Sequence, residues 1–471
     1  MSAEISSIAS DLSRAALWRA EVKAMLALGV PLALSQLAQI AIQTTDVVLL
    51  GWLGAEPLAA AGLATNVWVI MFLFGLGVAS AVSPIVAQIV GHPDPRGKVR
   101  RVRRVVRQGF WAATLLAIPF MAVCWHIQAI LLFFDQDPKL AAMAEPFLRA
   151  LMWATLPALW FVVLRCFVSA FERTRAVLAV TVCGILFNAT INYGLIFGHF
   201  GLPQLGLLGA GIGSAVTHSS MTLIMLTYVL RDRRFRRYYI LGRLWRPDWR
   251  TFREIFRIGL PIGSMWVLEV GVFTAALLLM GLIGTTAIAA HQIALQCAAI
   301  TFMVPLGMSM AATVRVGLAV GGGDLRGVRR AGFTAQGLGV GFMAMSCLLF
   351  ILAGPHIVGL FLDSSRPDSL PVSLLAAQLL AVAGIFQMFD GAQAVAAGAL
   401  RGMKDTRMPL VIALVGYWLI AFPLGVTLAF PFKVGAIGIW MGLAVGLAIA
   451  AVLLTLRFDW LTRRPLAQVT A

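Results

Sequence analysis

The chain has 471 residues, 60% of them hydrophobic and only 12% charged, with a formal net charge of +17. A soluble globular protein carries about a quarter charged residues, so this composition argues against a soluble enzyme with one or two cores. The basic residues sit in short runs between apolar segments, which argues against a nucleic-acid binder and for a membrane protein oriented by its positive loops.

Residues 1–23 are mildly charged and lead directly into a full-length apolar span, without the short core and cleavage site of a signal peptide. They are expected to form a cytoplasmic segment. Windows of about 20 apolar residues predict membrane-spanning helices. Twelve occur in order: 24–50, 58–90, 106–133, 142–171, 176–198, 206–230, 255–280, 287–318, 331–362, 371–400, 408–430 and 435–456. Six spans make an N-lobe (24–230) and six a C-lobe (255–456). Between them lies a basic linker, 231–254, within the run "RDRRFRRYYILGRLWRPDWRTFREIFR". It reads as an ordinary cytoplasmic connection rather than an anionic-lipid site. Residues 457–471 form a tail.

The connections alternate in charge. Thirty-one of the 37 Lys and Arg lie in or beside one set of connections, and only Lys139, Arg366 and Lys433 lie in the other. This asymmetry predicts both termini in the cytoplasm. Arg149, Arg165 and Arg315 fall within spans. The five cysteines lie in apolar windows without metal-ligand spacing and read as packing residues.

The halves repeat at an offset of about 230 residues. "GVP" (29–31) falls on "GLP" (259–261), "GWLGAEPLAAAG" (51–62) on "GLIGTTAIAAHQ" (281–292), and "GHPDPRG" (91–97) on "GGGDLRG" (321–327). "ERTR" (172–175) lies near "KDTR" (404–407), and "GLLGAGIG" (206–213) near "GAIGIWMG" (435–442). Six spans per half give both halves the same orientation, a parallel repeat about an axis along the membrane normal. The expected fold is all-α: a polytopic membrane protein with twelve transmembrane helices in two pseudo-symmetric six-helix bundles.

Charged groups are expensive at the bilayer centre and mark cavities or partners. Three acids lie well inside spans: Asp46, Glu269 and Asp390. Counting from Arg257 and Arg401 places Glu269 and Asp390 about 16–18 Å from the cytoplasmic edge, near the midplane. A shared site is expected there. Asp46 lies beyond Pro31, a residue that can kink its helix, as Pro261 can in the seventh span. Its candidate neighbours are Asn188 and Asn192, which share a helix face, and Ser214 at comparable depth. This oxygen-rich set could hold Na⁺ or a proton; interhelical hydrogen bonding is the plainer reading. His291 is a weaker candidate for proton relay. "GGGD" (321–324) reads as a turn, and "GAGIG" (209–213) has no preceding strand to make a dinucleotide loop. No GxxxxGK[ST] string couples the chain to ATP, so uphill work must come from an ion gradient.

The strings "GLPIGSMWVLEVGVFTAALLLMGLIGTTAIAAHQIALQ", "MVPLGMSMAATVRVG", "FQMFDGAQAVAAGALRGMKDTRMP" and "FNATINYGLIFG" keep their order across residues 20–460. With them the chain resembles the multidrug and toxic compound extrusion (MATE) family, in its NorM-like branch. The resemblance implies an antiporter that exports organic, often cationic, compounds in exchange for Na⁺ or H⁺, with no cofactor. It implies that Glu269, Asp390 and Asp46 are the family's coupling acids, with Glu269 and Asp390 holding Na⁺ if sodium is the coupling ion. Pro31 would be its hinge proline, and Asn188 and Asn192 its helix-5 polar pair. Some relatives carry Asp where this chain has Asn192, so the site here is less acidic. Phe302 falls near an aromatic that faces the cation in some relatives.

The expected protein is therefore a secondary active multidrug exporter in a bacterial-type inner membrane, working by alternating access, and not an enzyme. Its partners are organic cations or drugs and the lipid bilayer, with no nucleic acid, and it is expected to be a monomer. The alternative is a flippase of a lipid-linked precursor, which would use cationic residues toward a diphosphate; only Arg149, Arg165 and Arg315 are available within spans. An intramembrane protease would need a paired catalytic acid motif, for which Asp390 with Glu269 is the only close pair.

Overall fold

The computed structural model describes residues 2–362 and 369–464, with side chains from residue 15 onward except at position 369. Among these residues there is no β-strand, and twelve helices are long and apolar enough to cross a membrane. They are α1 (Ala15–Leu53), α2 (Ala55–Gly91), α3 (Lys98–Trp125), α4 (Pro138–Ala170), α5 (Thr174–Phe197), α6 (Leu207–Arg231), α7 (Trp249–Ile283), α8 (Thr285–Gly321), α9 (Leu325–Gly359), α10 (Leu370–Gly402), α11 (Arg407–Ala429) and α12 (Ala436–Thr462). Arg366, and the tail beyond Arg464, lie outside the described residues.

The apolar faces of these helices point outward as well as inward. Leu278, Leu282, Leu352 and Leu419 are 66–75% exposed. Apolar exposure repeated on this scale is an aggregation hazard in water and is stable only against lipid.

Span ends differ from the hydropathy reading mainly at α3. The window 106–133 divides at His126 into α3 and a separate helix, Ile127–Phe133. The basic stretch from Lys98 is helical too, because α3 reaches back to the linker. Arg103 Nε donates to Tyr238 O at 2.6 Å, Arg107 Nη1 to Arg243 O at 2.9 Å and Trp111 Nε1 to Leu244 O at 2.8 Å. The linker thus has carbonyls tied down by α3 side chains.

The sequence repeat reappears as a repeat of backbone conformations. Gly54 (φ 134°) and Gly284 (φ 145°) separate α1 from α2 and α7 from α8. A side chain is strained at such angles, so the turn residue is glycine at both repeat positions. Gly206 (φ 55°) and Gly435 (φ 66°) precede α6 and α12 in the same way. Glu172 (φ 61°) and Lys404 (φ 64°) are both left-handed, in the paired "ERTR" and "KDTR" strings.

The chain forms two compact units. Among the described residues the N unit comprises 35–90 and 94–267, and the C unit comprises 2–34, 91–93, 268–362 and 369–464. The unit boundaries fall inside α1 and α7, shortly after Pro31 and Pro261, and both helices continue through these prolines. In the N unit α4 packs against α2, α3 and α6, and α5 against α6. In the C unit α10 is the central helix, packed against α8, α9 and α12. In the C unit Arg315 grips Glu21 of α1 with two bonds, at 2.8 and 2.7 Å. Asp324 of "GGGD" caps α9 by accepting from Gly327 N at 2.8 Å, which is the turn role expected.

Helix α11 is interrupted by a π-helical segment, Val415–Ala421, between Arg407–Leu414 and Phe422–Ala429. Pro423 has no N–H to return to the carbonyl four residues earlier, so the α ladder cannot close across this point. Such segments commonly mark functional sites in helices.

Candidate functional site

Two polar centres occupy the units, one in each. In the N unit α1, α5 and α6 bring Asp46, Asn188, Asn192 and Ser214 together. Asn192 Nδ2 donates to Asp46 Oδ1 at 2.6 Å, and Ser214 Oγ donates to Asp46 Oδ2 at 3.3 Å. Asn188 lies beside the same carboxylate and, like Asn192, is completely buried. Asn192 Oδ1 has no hydrogen-bond partner among the described residues. The four-residue spacing of the asparagines on α5 puts both amides toward α1. Gly213 on α6 makes room for one of them, since a Cβ there would stand 1.7 Å from Asn192 Oδ1.

Asp46 and Ser214 also line a cavity of about 420 Å³ inside the N unit. This volume falls within the range of small-molecule pockets. Its wall carries Gln43, Asn66, Trp68, Phe72 and His218, and Gln39, the repeat mate of Glu269. Trp68 stacks on Phe72 with centroids 4.7 Å apart, and its Nε1 donates to Thr155 Oγ1 at 2.9 Å, which fixes the indole. Sorting acids by depth does not find these wall residues. Asn66 and His218, two polar residues inside apolar spans, were the available signal.

In the C unit α7 brings Glu269 and α10 brings Asp390 close enough to interact electrostatically. Glu269 is half-buried and Asp390 is 6% exposed. Arg401 interacts with Glu269, and donates from Nη2 to Ser309 Oγ at 2.9 Å. Tyr417, from the π segment, interacts with both acids. Trp418, beside it, donates from Nε1 to Leu268 O at 3.2 Å, next to Glu269 in the chain. On α10, Gln387 accepts from the Thr301 hydroxyl. Gln387, Gln393 and Tyr417 were not singled out from sequence, although "FQMFDGAQ" shows three polar residues three apart in an apolar span. Among the described residues no group of three or more His, Cys, Asp and Glu could hold a metal. An ion at the two acids would need neutral oxygens as well.

The remaining sequence candidates divide. Phe302 is half-buried on α8 and meets no other ring among the described residues. His291 is completely buried, and Trp440 Nε1 donates to its Nδ1 at 3.1 Å. Pro31 and Pro261 sit within continuous helices. Of the cations within spans, Arg149 pairs with Glu145 at 2.5 Å and Arg315 with Glu21, while Arg165 donates to Gln36 Oε1 at 3.0 Å.

The model of the MatE family matches residues 31–194 and 261–427, two segments that begin 230 residues apart, the offset of the internal repeat. A probable multidrug resistance protein NorM of Brucella suis biovar 1 is 47% identical over 460 residues, covering 98% of this chain and 96% of its own. Another protein of that name, from Pseudomonas aeruginosa, is 42% identical over 96% of this chain and 92% of its own. Among solved structures, the eukaryotic MATE transporter AtDTX14 superposes with a TM-score of 0.82 at 22% identity, covering 96% of this chain and 99% of its own. A MATE protein in complex with MaD3S gives 0.84 at 17% identity, covering 95% and 97%. The family match, the relatives' identity and the shared fold lead to one conclusion: this chain is a multi-pass membrane protein of the MatE family, the multidrug and toxic compound extrusion transporters.

Proposed function

We propose that this transporter is a secondary active multidrug exporter that antiports organic, often cationic, compounds outward against Na⁺ or H⁺. The observation that carries the reading is the N-unit cavity: about 420 Å³, walled by aromatic rings, with the Asp46 carboxylate on its surface. An apolar, aromatic pocket with one acid suits a drug-sized organic cation, through burial, ring faces and charge together. Arg149, Arg315 and Arg165 are engaged elsewhere, with Glu145, Glu21 and Gln36, and Arg401 lies beside the acid Glu269, which favours cationic cargo over the diphosphate of a lipid-linked precursor.

Glu269 and Asp390 supply the second requirement, a negative centre for the coupling ion. Two carboxylates close together repel each other when both are ionised, and one proton or one Na⁺ relieves that repulsion. A conformation that binds drug and a conformation that binds the ion can then exchange, each ligand shifting the equilibrium by its differential affinity. In this reading Asp46 belongs to the same cycle, with Asn188, Asn192 and Ser214 holding its carboxylate. Pro31 and Pro261 are hinges, and Phe302 offers a ring face to cargo or ion. The repeat halves act as the two lobes. The protein works as a monomer in the bacterial inner membrane with both termini cytoplasmic. No cofactor takes part.

The test is ethidium efflux from vesicles containing the purified protein, with the Na⁺ and pH gradients imposed separately. Efflux driven by either gradient supports antiport. Efflux that ignores both gradients while the protein is folded rejects it.

A further inference from the structure

A cluster of positive charge lies in the N unit where the start of α3 meets the linker, and it shares no residue with the Asp46 cavity. Arg107 of α3 is only 6% exposed. Its Nη1 donates to Arg243 O at 2.9 Å, but its Nε is buried with no hydrogen-bond partner among the described residues. A buried charge is costly unless it is paired and hydrogen-bonded. The charged groups that act on Arg107 are Asp248 and three further cations, Arg103, Arg104 and Arg246. Asp248 is already shared: Oδ2 faces Arg104 Nη1 at 3.6 Å, and Oδ1 accepts from Thr251 N at 3.2 Å in the first turn of α7. Four guanidinium groups against one carboxylate leave three positive charges in excess.

The missing partner is an acceptor that carries negative charge. Guanidinium groups match phosphate oxygens with pairs of parallel N–H···O bonds. The neighbouring surface decides which phosphate. Arg104, Trp111, Leu115 and Ile118 are exposed and follow one another along one face of α3, at steps of seven, four and three residues. From Arg104 to Leu115 the helix rises about 16 Å. The stripe passes from charge, through an indole, to aliphatic side chains. Tryptophan collects at the level where headgroups give way to acyl chains, and Trp111 is fixed by its bond to Leu244 O at 2.8 Å. Trp245, next to Arg246 in the chain, is 75% exposed. A free phosphate would use the arginines alone. A phospholipid uses the arginines and the stripe together.

We propose that this corner of α3 and the linker binds an anionic phospholipid, with its phosphate on Arg104, Arg107 and Arg246 and an acyl chain along Trp111, Leu115 and Ile118. The excess charge favours a headgroup with two phosphates, of the cardiolipin type, over a headgroup with one. The linker alone reads as an ordinary basic connection because three of the four arginines come from α3 and join it only in the fold. The site does not depend on the antiport reading.

The experiment is native mass spectrometry of the delipidated, detergent-purified full chain with cardiolipin, phosphatidylcholine or inorganic phosphate added. Thermal unfolding in the same mixtures is the second readout. Wild type is expected to retain cardiolipin and to be stabilised by it, and not by the other two at equal concentration. Arg104→Gln with Arg246→Gln, both at exposed positions, is expected to weaken cardiolipin binding about tenfold or more, the scale of two basic residues at a charged headgroup. Arg107→Lys keeps the charge, removes the Nε donor, and is expected to weaken binding too. Arg233→Gln with Arg236→Gln removes the same charge from exposed linker positions outside the cluster and is expected to bind as wild type does. Unfolding without lipid shows that each variant is folded; if Arg107→Lys is not, the exposed pair decides. Wild-type binding in the Arg104 and Arg246 double variant or in folded Arg107→Lys overturns the proposal, as does an equal loss in the Arg233 and Arg236 double variant. Phosphatidylcholine bound as tightly as cardiolipin also overturns it. Equal stabilisation by inorganic phosphate makes the ligand a free anion and overturns the assignment to lipid.

Discussion

Asn192 Nδ2 donates to Asp46 Oδ1 across 2.6 Å, and that amide has its place because residue 213 carries no Cβ. The charge of Asp46 is thus supported from α5 and accommodated by α6. Gly213→Ala should push the Asn192 amide off the carboxylate and cost about 1–3 kcal/mol of stability. Asn192→Ala should cost about the same, since it removes a hydrogen bond to a charged group. Both changes break one interaction, so the double variant should cost clearly less than the sum. Denaturant unfolding in detergent of the four proteins checks this; additive losses would show that the two sites act separately.

Glu269→Gln keeps the shape of the side chain and removes its negative charge. Ethidium export should fall to background while the protein remains in the membrane at wild-type level. Immunoblots of membranes alongside ethidium efflux read both. Export that survives the change would remove Glu269 from the coupling mechanism.

Trp440 Nε1 is the donor that holds His291 Nδ1, and Nε2 of the same ring has no partner among the described residues. Trp440→Phe would leave the completely buried imidazole with neither nitrogen bonded. A loss of about 1–3 kcal/mol is expected, seen as a lower unfolding temperature in detergent. If Trp440→Phe melts like wild type, the indole contact is incidental.

Glu21 is 5% exposed and carries two bonds from Arg315, with Arg330 a further 3.9 Å contact. Because the Arg315 side chain is 23% exposed, water offsets part of the loss when its partner is removed. Glu21→Gln should therefore cost about 1–3 kcal/mol rather than the larger penalty of a fully buried pair. Exchanging the two residues, Glu21→Arg with Arg315→Glu, should recover part of the loss. The check is the unfolding midpoint of wild type and the two variants; no recovery in the exchange would mean that Arg330 and local geometry dominate.

The twelve helices were legible because lipid imposes a length and an apolarity on anything that crosses it, and α1–α12 obey both. The repeat was legible in its glycines, since Gly54 and Gly284 serve the same backbone angle. The gathering of Asp46 with Asn192 and Ser214 followed from depth along a helix, which a constant rise makes countable. Other features had no such ruler. Trp68 and Phe72 look like any aromatic in an apolar span until the fold stacks them on a cavity wall. The end of α3 at Trp125 depends on the break at His126, inside a window that is apolar on both sides. Tyr417 was missed because its direction depends on the π segment, and neither hydropathy nor helical periodicity registers an extra residue in a turn. Gln387 and Gln393 were missed because acids alone were sorted by depth, although neutral amides inside a span are costly for the same reason.

The π segment changes what the two ends of α11 present to their surroundings. Beyond Arg407, its exposed positions are Met408, Val411, Leu414, Leu419, Pro423 and Thr427. The steps are three or four residues except between Leu414 and Leu419, where the step is five. That five-residue stride is the extra residue of the wide turn, and it lets one outward stripe run on past it. Deleting any one residue between 415 and 421 would restore an ordinary α turn and rotate everything beyond it by about 100°. Leu419 would leave the lipid, and Gly425, buried against Ile439 of α12, would lose its place there. In this stretch the number of residues is constrained as tightly as their kind.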